Sequence, residues 1–520
     1  MNKHSYYVVR CSLVAALGGL LFGFDTAVIS GTTEALQDVY KLTDAWLGFT
    51  VASALFGTIV GSICIGWPTD KIGRRNMLIW TGVFYLVSAV GSALAWDWYS
   101  FLIFRFIGGL GVGGASVLAP IYIAEISPAK KRGFLVALAQ FNIVLGILLA
   151  YVSNYTVTLC DLGAAQWRWM FGVEIIPAAA FIALLFGNPY SPRWLMSKKR
   201  KDEALDVLCH LEEDQEVAKA EQIAIQESLD LEHHMHNERF YSKKYLMPIF
   251  LACAIGAFNQ LSGINALIYY GPRIFKMTGA GGGSALVQSA IIGLVNLAFT
   301  MAAMKVIDHF GRKKLMLVGS IGYIISLGVA SWVFFSHHTQ FAHVNAASAV
   351  VDQVQQAESA VDALKTLKAG EDTAIAAVAE TALTAIEKTG QTDDVMEIVK
   401  GIEASAIENV GRGGMILLAA LIVFIASHAF GQGAVVWVFI SEIFPNRVRA
   451  RGQALGAFTL WVFNAVVSQS FPWIAGKFGG GIIFAAYCSF MILQLLWVIF
   501  LMPETKGVPL EEIQKRLNIE

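Results

Sequence analysis

The sequence predicts an all-α membrane protein whose chain crosses the bilayer twelve times in two bundles of six helices, with an extra helical insertion outside the membrane. Three observations support this class. The 520 residues are 56% hydrophobic and only 15% charged, whereas soluble domains contain roughly 25% charged residues. Apolar runs of about 20 residues, long enough to cross a hydrocarbon core of roughly 30 Å, recur along the chain. Short motifs of the first half return in the second half.

The lengths of the apolar runs place the twelve spans, which we expect to be helices because lipid offers the backbone no other hydrogen-bond partner. In the first bundle, assigned to residues 1–188, the spans lie near 8–30, 46–67, 77–96, 100–123, 134–157 and 168–188. In the second bundle, assigned to residues 245–502, they lie near 246–270, 285–306, 315–335, 413–440, 453–474 and 481–502. Lys and Arg concentrate in the loops that follow even-numbered spans, which predicts that both termini are cytoplasmic.

Three polar stretches interrupt or end this pattern. Residues 189–244 predict short linker helices on the cytoplasmic side, and residues 503–520 predict a short cytoplasmic tail. Residues 336–412 are rich in Ala and acidic residues and lie outside by topology. Their periodicity predicts helices at 345–368, 371–388 and 392–410. We favour a solvated helical cap over a docking or sensing domain, because acidic helical faces are usually only solvated.

The two halves share motifs at corresponding places. DKIGRR (70–75) follows the second span and DHFGRK (308–313) follows the eighth. AEISP (124–128) ends the fourth span and SEIFP (441–445) ends the tenth. A duplication of six spans is typical of transporters that expose a site between their halves to each side of the membrane in turn.

Several other classes of protein are not expected. The six cysteines are scattered without a CxxC pair or a Cys/His cluster, so we expect no metal site, and no other cofactor is indicated. A phosphate-binding loop of the form GxxxxGK[ST] is absent from the sequence, which argues against ATP-driven transport. The net charge of −1 gives no reason to expect nucleic acid as a partner.

Taken together, the motifs resemble those of the sugar porter family of the major facilitator superfamily, and their order is most similar to that of bacterial xylose–proton symporters. The resemblance covers nearly the whole chain except residues 336–412. It rests on GFDTAVISG (23–31), DKIGRR (70–75), RFIGGLGVGG (105–114), PIYIAEISP (120–128), KRG (131–133), SPRW (191–194), QLSGINALIYY (260–270), DHFGRKK (308–314), WVFISEIFPNRVR (437–449) and PETKG (503–507).

The resemblance implies a major facilitator fold that imports a monosaccharide, such as xylose, glucose or galactose, by proton symport through alternating access. The implied partners are the sugar, a proton and the lipid bilayer. We expect a monomer in a bacterial inner membrane, with no enzymatic activity. Two alternatives remain open: a facilitative sugar uniporter, and a sugar sensor that hardly transports.

One carboxylate, Asp25, lies in the middle of the first apolar run. A charged Asp at the bilayer centre costs a few kcal/mol, so it must be neutralised or paired. Arg105 in the fourth span and Glu174 in the sixth are the candidate partners. By resemblance, Asp25 and Arg105 couple the proton to transport, and Glu174 is the second acid to which Arg105 can turn. The alternative is a permanent Asp25–Arg105 ion pair that only locks helices together.

Polar and aromatic residues inside the spans are the candidate sugar ligands, because an amide offers both a donor and an acceptor to a hydroxyl. Gln260 and Asn265 lie five residues apart on either side of Gly263, which permits local unwinding. The alternative for any single amide is a bond between helices, worth about 0.6 kcal/mol. Through the resemblance, we assign sugar binding to Gln140, Asn259, Gln260, Asn265, Tyr269, Asn296, Trp437 and Asn464. Trp461 of the eleventh span is a further candidate, although aromatic residues of this kind often only pack in the core or at the interface, and Trp437 is the preferred aromatic ligand.

Charged residues at the cytoplasmic ends of the spans form the expected gate. By resemblance they make ion pairs within and between the halves that hold the outward-open state, although the basic residues also set topology. They are Asp70, Arg74, Arg75, Glu125, Arg132, Asp308, Arg312, Glu442 and Arg449. The family's PESPRW is PYSPRW here, with Tyr190 at the acidic position, which leaves one ion pair of the gate open.

Overall fold

The computed structural model describes residues 3–128, 132–212, 214–234, 240–278, 282–357, 359–370, 372–389, 395–410, 412–445 and 448–506, with isolated positions up to 517. Regular structure in this part of the chain is helical. It includes eleven helical stretches that are long and apolar enough to cross a membrane. The last stretch holds the eleventh and twelfth predicted spans in one assignment, bent where Gly479 adopts a φ of +76°. The predicted all-α fold with twelve spans is confirmed.

The first half contains six spans and two short helices at their ends. Its helices are α1 (Lys3–Val28), α2 (Thr33–Val39), α3 (Asp44–Cys64), α4 (Gly66–Ile72), α5 (Arg74–Leu94), α6 (Trp98–Ile126), α7 (Arg132–Leu159), α8 (Gln166–Gly172) and α9 (Ile175–Leu185). The sixth span is divided between α8 and α9, and Glu174 lies at this break. Three helices follow within the segment assigned to the linker: α10 (Pro192–Ser197), α11 (Lys201–Leu211) and α12 (Gln215–His234).

The second half contains the other six spans and the insertion. Its helices are α13 (Leu246–Leu261), α14 (Ile264–Lys276), α15 (Gly282–Phe310), α16 (Arg312–Ser336), α17 (His338–Gln356), α18 (Ala360–Lys368), α19 (Thr373–Thr389), α20 (Val395–Val410), α21 (Gly413–His428), α22 (Ala434–Ile443) and α23 (Arg449–Phe500). A short π-helix, Ala429–Gly433, joins α21 to α22. Between α13 and α14, Gly263 has a φ of +85°, the left-handed conformation that glycine adopts without a steric penalty.

The halves meet along two seams that the duplication relates to each other. In one seam α3 packs against the first part of α23, and in the other α7 packs against α15. The first seam is close enough to require glycine, since a Cβ on Gly48 would lie 2.0 Å from the carbonyl oxygen of Gln469. Small residues let two helix backbones approach in this way. The space between these seams is where a site shared by both halves can form.

The insertion forms four helices that pack on one another and continue from the ninth span. The prediction of a single helix at 345–368 is wrong, because α17 ends at Gln356 and α18 begins at Ala360. The chain becomes extended at Ala357, and the Ser359 hydroxyl caps α18 by accepting a hydrogen bond from the Asp362 amide at 3.4 Å. A polar N-cap of this kind starts a new helix even where Ala-rich periodicity continues.

Candidate transport site

The three proposed proton-coupling residues lie close together at the centre of the first half. Arg105 Nη1 lies 2.5 Å from Asp25 Oδ1, and Nη2 lies 3.3 Å from Oδ2 and 3.2 Å from the Asp25 carbonyl oxygen. The Arg105 guanidinium also stands 5.4 Å from the centre of the Phe171 ring. Both charged side chains are at least 97% buried. Removing one partner of such a pair leaves an uncompensated buried charge, at a cost of about 3–5 kcal/mol.

Glu174 is the third member of this cluster, and it is not paired in this conformation. It is 1% exposed and interacts electrostatically with Asp25 and Arg105. Neither of its carboxylate oxygens has a hydrogen-bond partner among the described residues. Of the two buried acids, Arg105 is therefore hydrogen-bonded only to Asp25.

The break in the seventh span brings three amides into one chain of hydrogen bonds. Asn265 donates to Gln260 Oε1 at 2.7 Å across the turn at Gly263, and Gln260 donates to Asn259 Oδ1 at 2.8 Å. Gln260 and Asn259 are buried. These amides satisfy one another, so the hydroxyl groups of a sugar can exchange for hydrogen bonds that already exist.

A narrow cleft between the halves connects the acid cluster with two of the proposed sugar ligands. Tyr269 and Trp461 of the second half line it together with Asp25 and Arg105 of the first half. The remaining lining residues are Thr26, Ile29, Val51, Ala54, Leu55, Thr58 and Val112. Asn464 donates to the Tyr269 hydroxyl at 3.4 Å and joins this group.

Other proposed sugar ligands are not part of the cleft in this conformation. Gln140 on α7 is half-buried, and Asn296 on α15 is buried and accepts from Thr300 at 3.5 Å. Trp437 on α22 is 43% exposed. The structure thus places Trp461, which packs against Phe22, closer to the acid cluster than Trp437.

The predicted cytoplasmic residues form the same arrangement twice. In the first half Glu125 pairs with Arg74 at 3.2 Å and accepts from Ser191 at 2.5 Å. In the second half Glu442 pairs with Arg312 at 2.8 Å and accepts from Thr505 at 2.6 Å. Arg74 also contacts Asp70 at 3.3 Å. These ion pairs each lie within one half, and the side chains of Arg132 and Asp308 lie outside the described part of the chain. Arg449 Nε is buried and has no partner among the described residues.

Tyr190 occupies the position at which the family motif has an acidic residue. Its ring stacks on Trp194, and the Arg75 guanidinium lies 4.4 Å from its centre. The corresponding Glu504 in the second half accepts from the amides of Arg312 and Lys313 at 2.9 and 3.2 Å. A cation–π contact in the first half therefore stands where the second half has a carboxylate at a helix N-terminus.

Ion pairs between the halves occur at the opposite end, where sequence reasoning found none. Arg273 of α14 donates to Asp44 of α3 at 2.7 Å and to Gln37 of α2 at 3.1 Å. Lys276 pairs with Glu34 of α2. The bases lie in the last turn of α14 and Asp44 in the first turn of α3, the ends at which each charge is favoured. We call these five residues the outer latch. Their isolation in loops poor in Lys and Arg was the only signal in the sequence.

Comparison with known proteins agrees with this architecture. The sequence model of the family described as sugar (and other) transporter matches residues 11–351 and 395–517, and so omits much of the insertion. The D-xylose–proton symporter of Escherichia coli is 32% identical over 98% of this chain and 96% of its own length. The arabinose–proton symporter of Bacillus subtilis is 31% identical over 99% and 96%, respectively. A glucose transport protein of Synechocystis is 32% identical over 98% and 97%.

Solved structures show the same similarity in three dimensions. The inward-open conformation of the xylose transporter XylE from E. coli matches with a TM-score of 0.75 at 31% identity, covering 98% of this chain and all of that one. The same major facilitator superfamily symporter bound to 6-bromo-6-deoxy-D-glucose matches with a TM-score of 0.71 at 32% identity, over 99% of this chain. With its twelve spans in two related halves, this chain belongs to the sugar transporter family and has the major facilitator fold.

Proposed function

We propose that this membrane transporter imports a monosaccharide together with a proton, by exposing one central site to the two sides of the membrane in turn. The observation that carries the proposal is the cleft in which Asp25 and Arg105 of one half face Tyr269 and Trp461 of the other. A proton-binding acid and sugar-binding groups in one cleft can respond to the same movement of the halves. The relatives named as proton symporters of xylose and arabinose support this function.

The coupling follows from competition between two acids for one arginine. While Asp25 is charged, Arg105 is bonded to it and the buried ion pair is satisfied. A proton on Asp25 removes that charge, and Arg105 is then attracted to Glu174, whose oxygens have no other partner among the described residues. The change repositions α6 relative to α1 and α9, so that protonation alters the packing beside the cleft.

The sugar is held by the amides and aromatic groups of the second half. Hydroxyl groups of the sugar replace the bonds among Asn259, Gln260 and Asn265, and the Trp461 ring covers an apolar face. The remaining assigned ligands join when the halves move. Pentoses and hexoses both suit such a set, because each amide accepts and donates without discrimination between them.

Opening and closing at the two ends completes the cycle. The outer latch joins the halves and closes the outer end in this conformation. The charged motifs at the other end support a cytoplasmic location for both termini, with the insertion on the outer side of a bacterial inner membrane. In the outward-open state the cytoplasmic motifs bring the halves together there, and the outer latch is broken.

The deciding experiment measures sugar-driven proton uptake by proteoliposomes with a panel of pentoses and hexoses. We expect the wild type to take up protons with at least one sugar, and Asp25→Asn to lose this signal while it still exchanges labelled sugar. Asp97→Asn is the matched control, because Asp97 lies outside the spans and caps α6. Sugar entry without a proton signal in the wild type would instead establish a uniporter, with Asp25 as a helix lock. Binding without flux would establish a sensor.

A further inference from the structure

One face of α5 carries three hydroxyl groups that the proposed mechanism does not yet use. Tyr85, Ser88 and Ser92 are spaced three and four residues apart, so they lie on the same side of the helix. Each is at most 1% exposed. None of the three hydroxyl oxygens has a hydrogen-bond partner among the described residues. A serine in a membrane helix ordinarily donates to the carbonyl oxygen one turn earlier, and these two do not.

This face is directed toward the acid cluster. The position that a Cβ of Gly108 would occupy lies 2.4 Å from Ser88 Oγ and 3.5 Å from Asp25 Oδ1. The Tyr85 hydroxyl group interacts electrostatically with both Asp25 and Glu174. Ala93, the neighbour of Ser92, accepts from Arg168 of α8 and lies 3.9 Å from the place of a Cβ on Gly172. Ser88 therefore lies beside the acid cluster, and Tyr85 and Ser92 lie about one turn away from it on the same face of α5.

The acid cluster has unpartnered buried atoms of its own. Besides the three hydroxyls they are Arg105 Nε and the two carboxylate oxygens of Glu174, which lack partners among the described residues. Buried polar groups in native proteins are almost always hydrogen-bonded, to protein or to ordered water. A buried water molecule typically bonds about three such groups. The set supplies both donors and acceptors, as a water site needs.

The second half provides an internal comparison. Tyr323 and Ser326 of α16 repeat the Tyr85–Ser88 spacing. The Tyr323 hydroxyl donates to Gln432 at 3.0 Å and contacts His428 Nδ1 at 2.6 Å, while Ser326 donates to the Gly322 carbonyl at 2.7 Å. The same residue types are therefore satisfied by protein groups in the second half, whose described residues include no buried acid. The hydroxyl groups without a partner are those in the half that holds the buried acids.

We propose that Tyr85, Ser88 and Ser92 hold ordered water against Glu174 and Arg105, and that they are positioning residues which set how tightly the acid cluster binds its proton. The inference rests on the proposed function for its role in transport but not for the water site. The charged or titratable groups that face Glu174 are Asp25 on α1, Tyr85 on α5 and Arg105 on α6. Donors to a carboxylate stabilise its charged form, so the hydroxyls and their water keep Glu174 charged, as a partner for Arg105 when the proton is on Asp25.

The direct test is infrared difference spectroscopy of the purified transporter between neutral and acid pH. The carbonyl band of protonated Glu174 is assigned by its loss in Glu174→Gln, and water bands by their shift in oxygen-18 water. We expect Tyr85→Phe, Ser88→Ala and Ser92→Ala each to shift the carbonyl band and to remove a water band. Ser326→Ala is the matched control and should change neither. An unchanged spectrum in all three variants, or an equal change in the control, would overturn the proposal.

The second readout is the proton concentration that half-saturates sugar uptake. Loss of one hydrogen bond to charged Glu174 makes it a weaker partner for Arg105, which then stays on Asp25. We therefore expect a shift of about tenfold or more toward higher proton concentration, in each α5 variant and not in Ser326→Ala. Shifted infrared bands with unshifted half-saturation would overturn the positioning role. If the wild type shows no sugar-driven proton uptake, the proposed function fails, and the infrared bands still decide whether the water site exists.

Discussion

Replacing Arg273 by Ala removes the better-buried ion pair of the outer latch and should open the outer end of the cleft. The Arg273 and Asp44 side chains are 19% and 29% exposed, and their atoms lie 2.7 Å apart. Hydrogen bonds to charged groups contribute about 1.5–3 kcal/mol when buried, and exposed ion pairs about 0–1 kcal/mol. This partly buried pair lies between the two, at about 1–2 kcal/mol. Since 1.4 kcal/mol is a factor of ten in an equilibrium constant, we expect the ratio of outer-open to outer-closed molecules to rise roughly 5–30-fold.

The assay is the rate at which a membrane-impermeant thiol reagent, added from outside, labels a cysteine in the cleft. Ile29→Cys is a suitable reporter because Ile29 lines the cleft and is only 1% exposed. It is placed in a variant in which the six free cysteines are replaced. Arg273→Ala and Asp44→Ala should both accelerate labelling, and the exchanged pair Arg273→Asp with Asp44→Arg should bring it back toward the original rate.

The second ion pair supplies a graded control for the same assay. The Lys276 and Glu34 side chains are 36% and 48% exposed, so solvent and salt screen their attraction. Lys276→Ala should therefore change labelling less than Arg273→Ala does, and the difference from wild type should shrink in high salt. Unchanged labelling in Arg273→Ala, or an exchanged pair that labels as fast as the single variants, would refute the latch.

Three further outcomes are expected. Gly48→Leu should hold the outer end open and abolish transport, because a Cβ there would lie 2.0 Å from a carbonyl oxygen of α23. Gly66→Leu should transport normally, because nothing lies within 4 Å of a Cβ at that position. Equal activity of the two variants in an uptake assay would contradict the close packing of α3 against α23. Glu442→Gln and Glu125→Gln should each lower the free energy of unfolding by about 1 kcal/mol, because the arginine paired with each glutamate loses a charged partner. The measurement is thermal unfolding in detergent, and a loss in only one half would contradict the repeated arrangement. Hydrogen bonds from the backbone and side chain of Ser100 lower the pKa of Asp97. The contribution of the Asp97 carboxylate to stability is therefore fully present above the ordinary Asp range and is lost as pH falls through the lowered pKa. The difference in melting temperature between wild type and Asp97→Ala should shrink in acid, and a constant difference would contradict the cap.

Much of the architecture could be predicted because it depends on local composition. A span needs about 20 apolar residues wherever it lies, and the runs show this without any knowledge of packing. The break at Gly263 was predictable for a similar reason, since glycine tolerates the positive φ that separates α13 from α14. The duplication that relates the two halves could be predicted from motifs that repeat in the same order. The insertion was harder, because Ala-rich periodicity continues through the turn at Ala357 and only Ser359 marks the start of α18.

The candidate site, too, could be predicted from the sequence only in part. Asp25, Arg105 and Glu174 could be chosen as a group because each is an ionisable residue in an apolar run, which is costly without a partner. Which acid holds Arg105 could not be predicted, because it depends on the relative positions of α1, α6 and α9. From the sequence, Trp437 was the preferred aromatic ligand over Trp461, whereas the structure places Trp461 in the cleft. The relation of α22 and α23 to the cleft distinguishes them.

By itself, then, the sequence determined the number of apolar spans, the duplication and the identity of the buried charges, since each is a property of short stretches of chain. Only the tertiary structure decided which charges meet. Arg273 and Asp44 are distant in sequence and unremarkable in their loops, and they pair because the two halves close at that end. The hydroxyls of Tyr85 and Ser88 and those of Tyr323 and Ser326 have the same local pattern, yet only the second pair is satisfied by protein groups described in the structure. Hydrogen bonding and ion pairing depend on distances between helices, and those distances are set by packing.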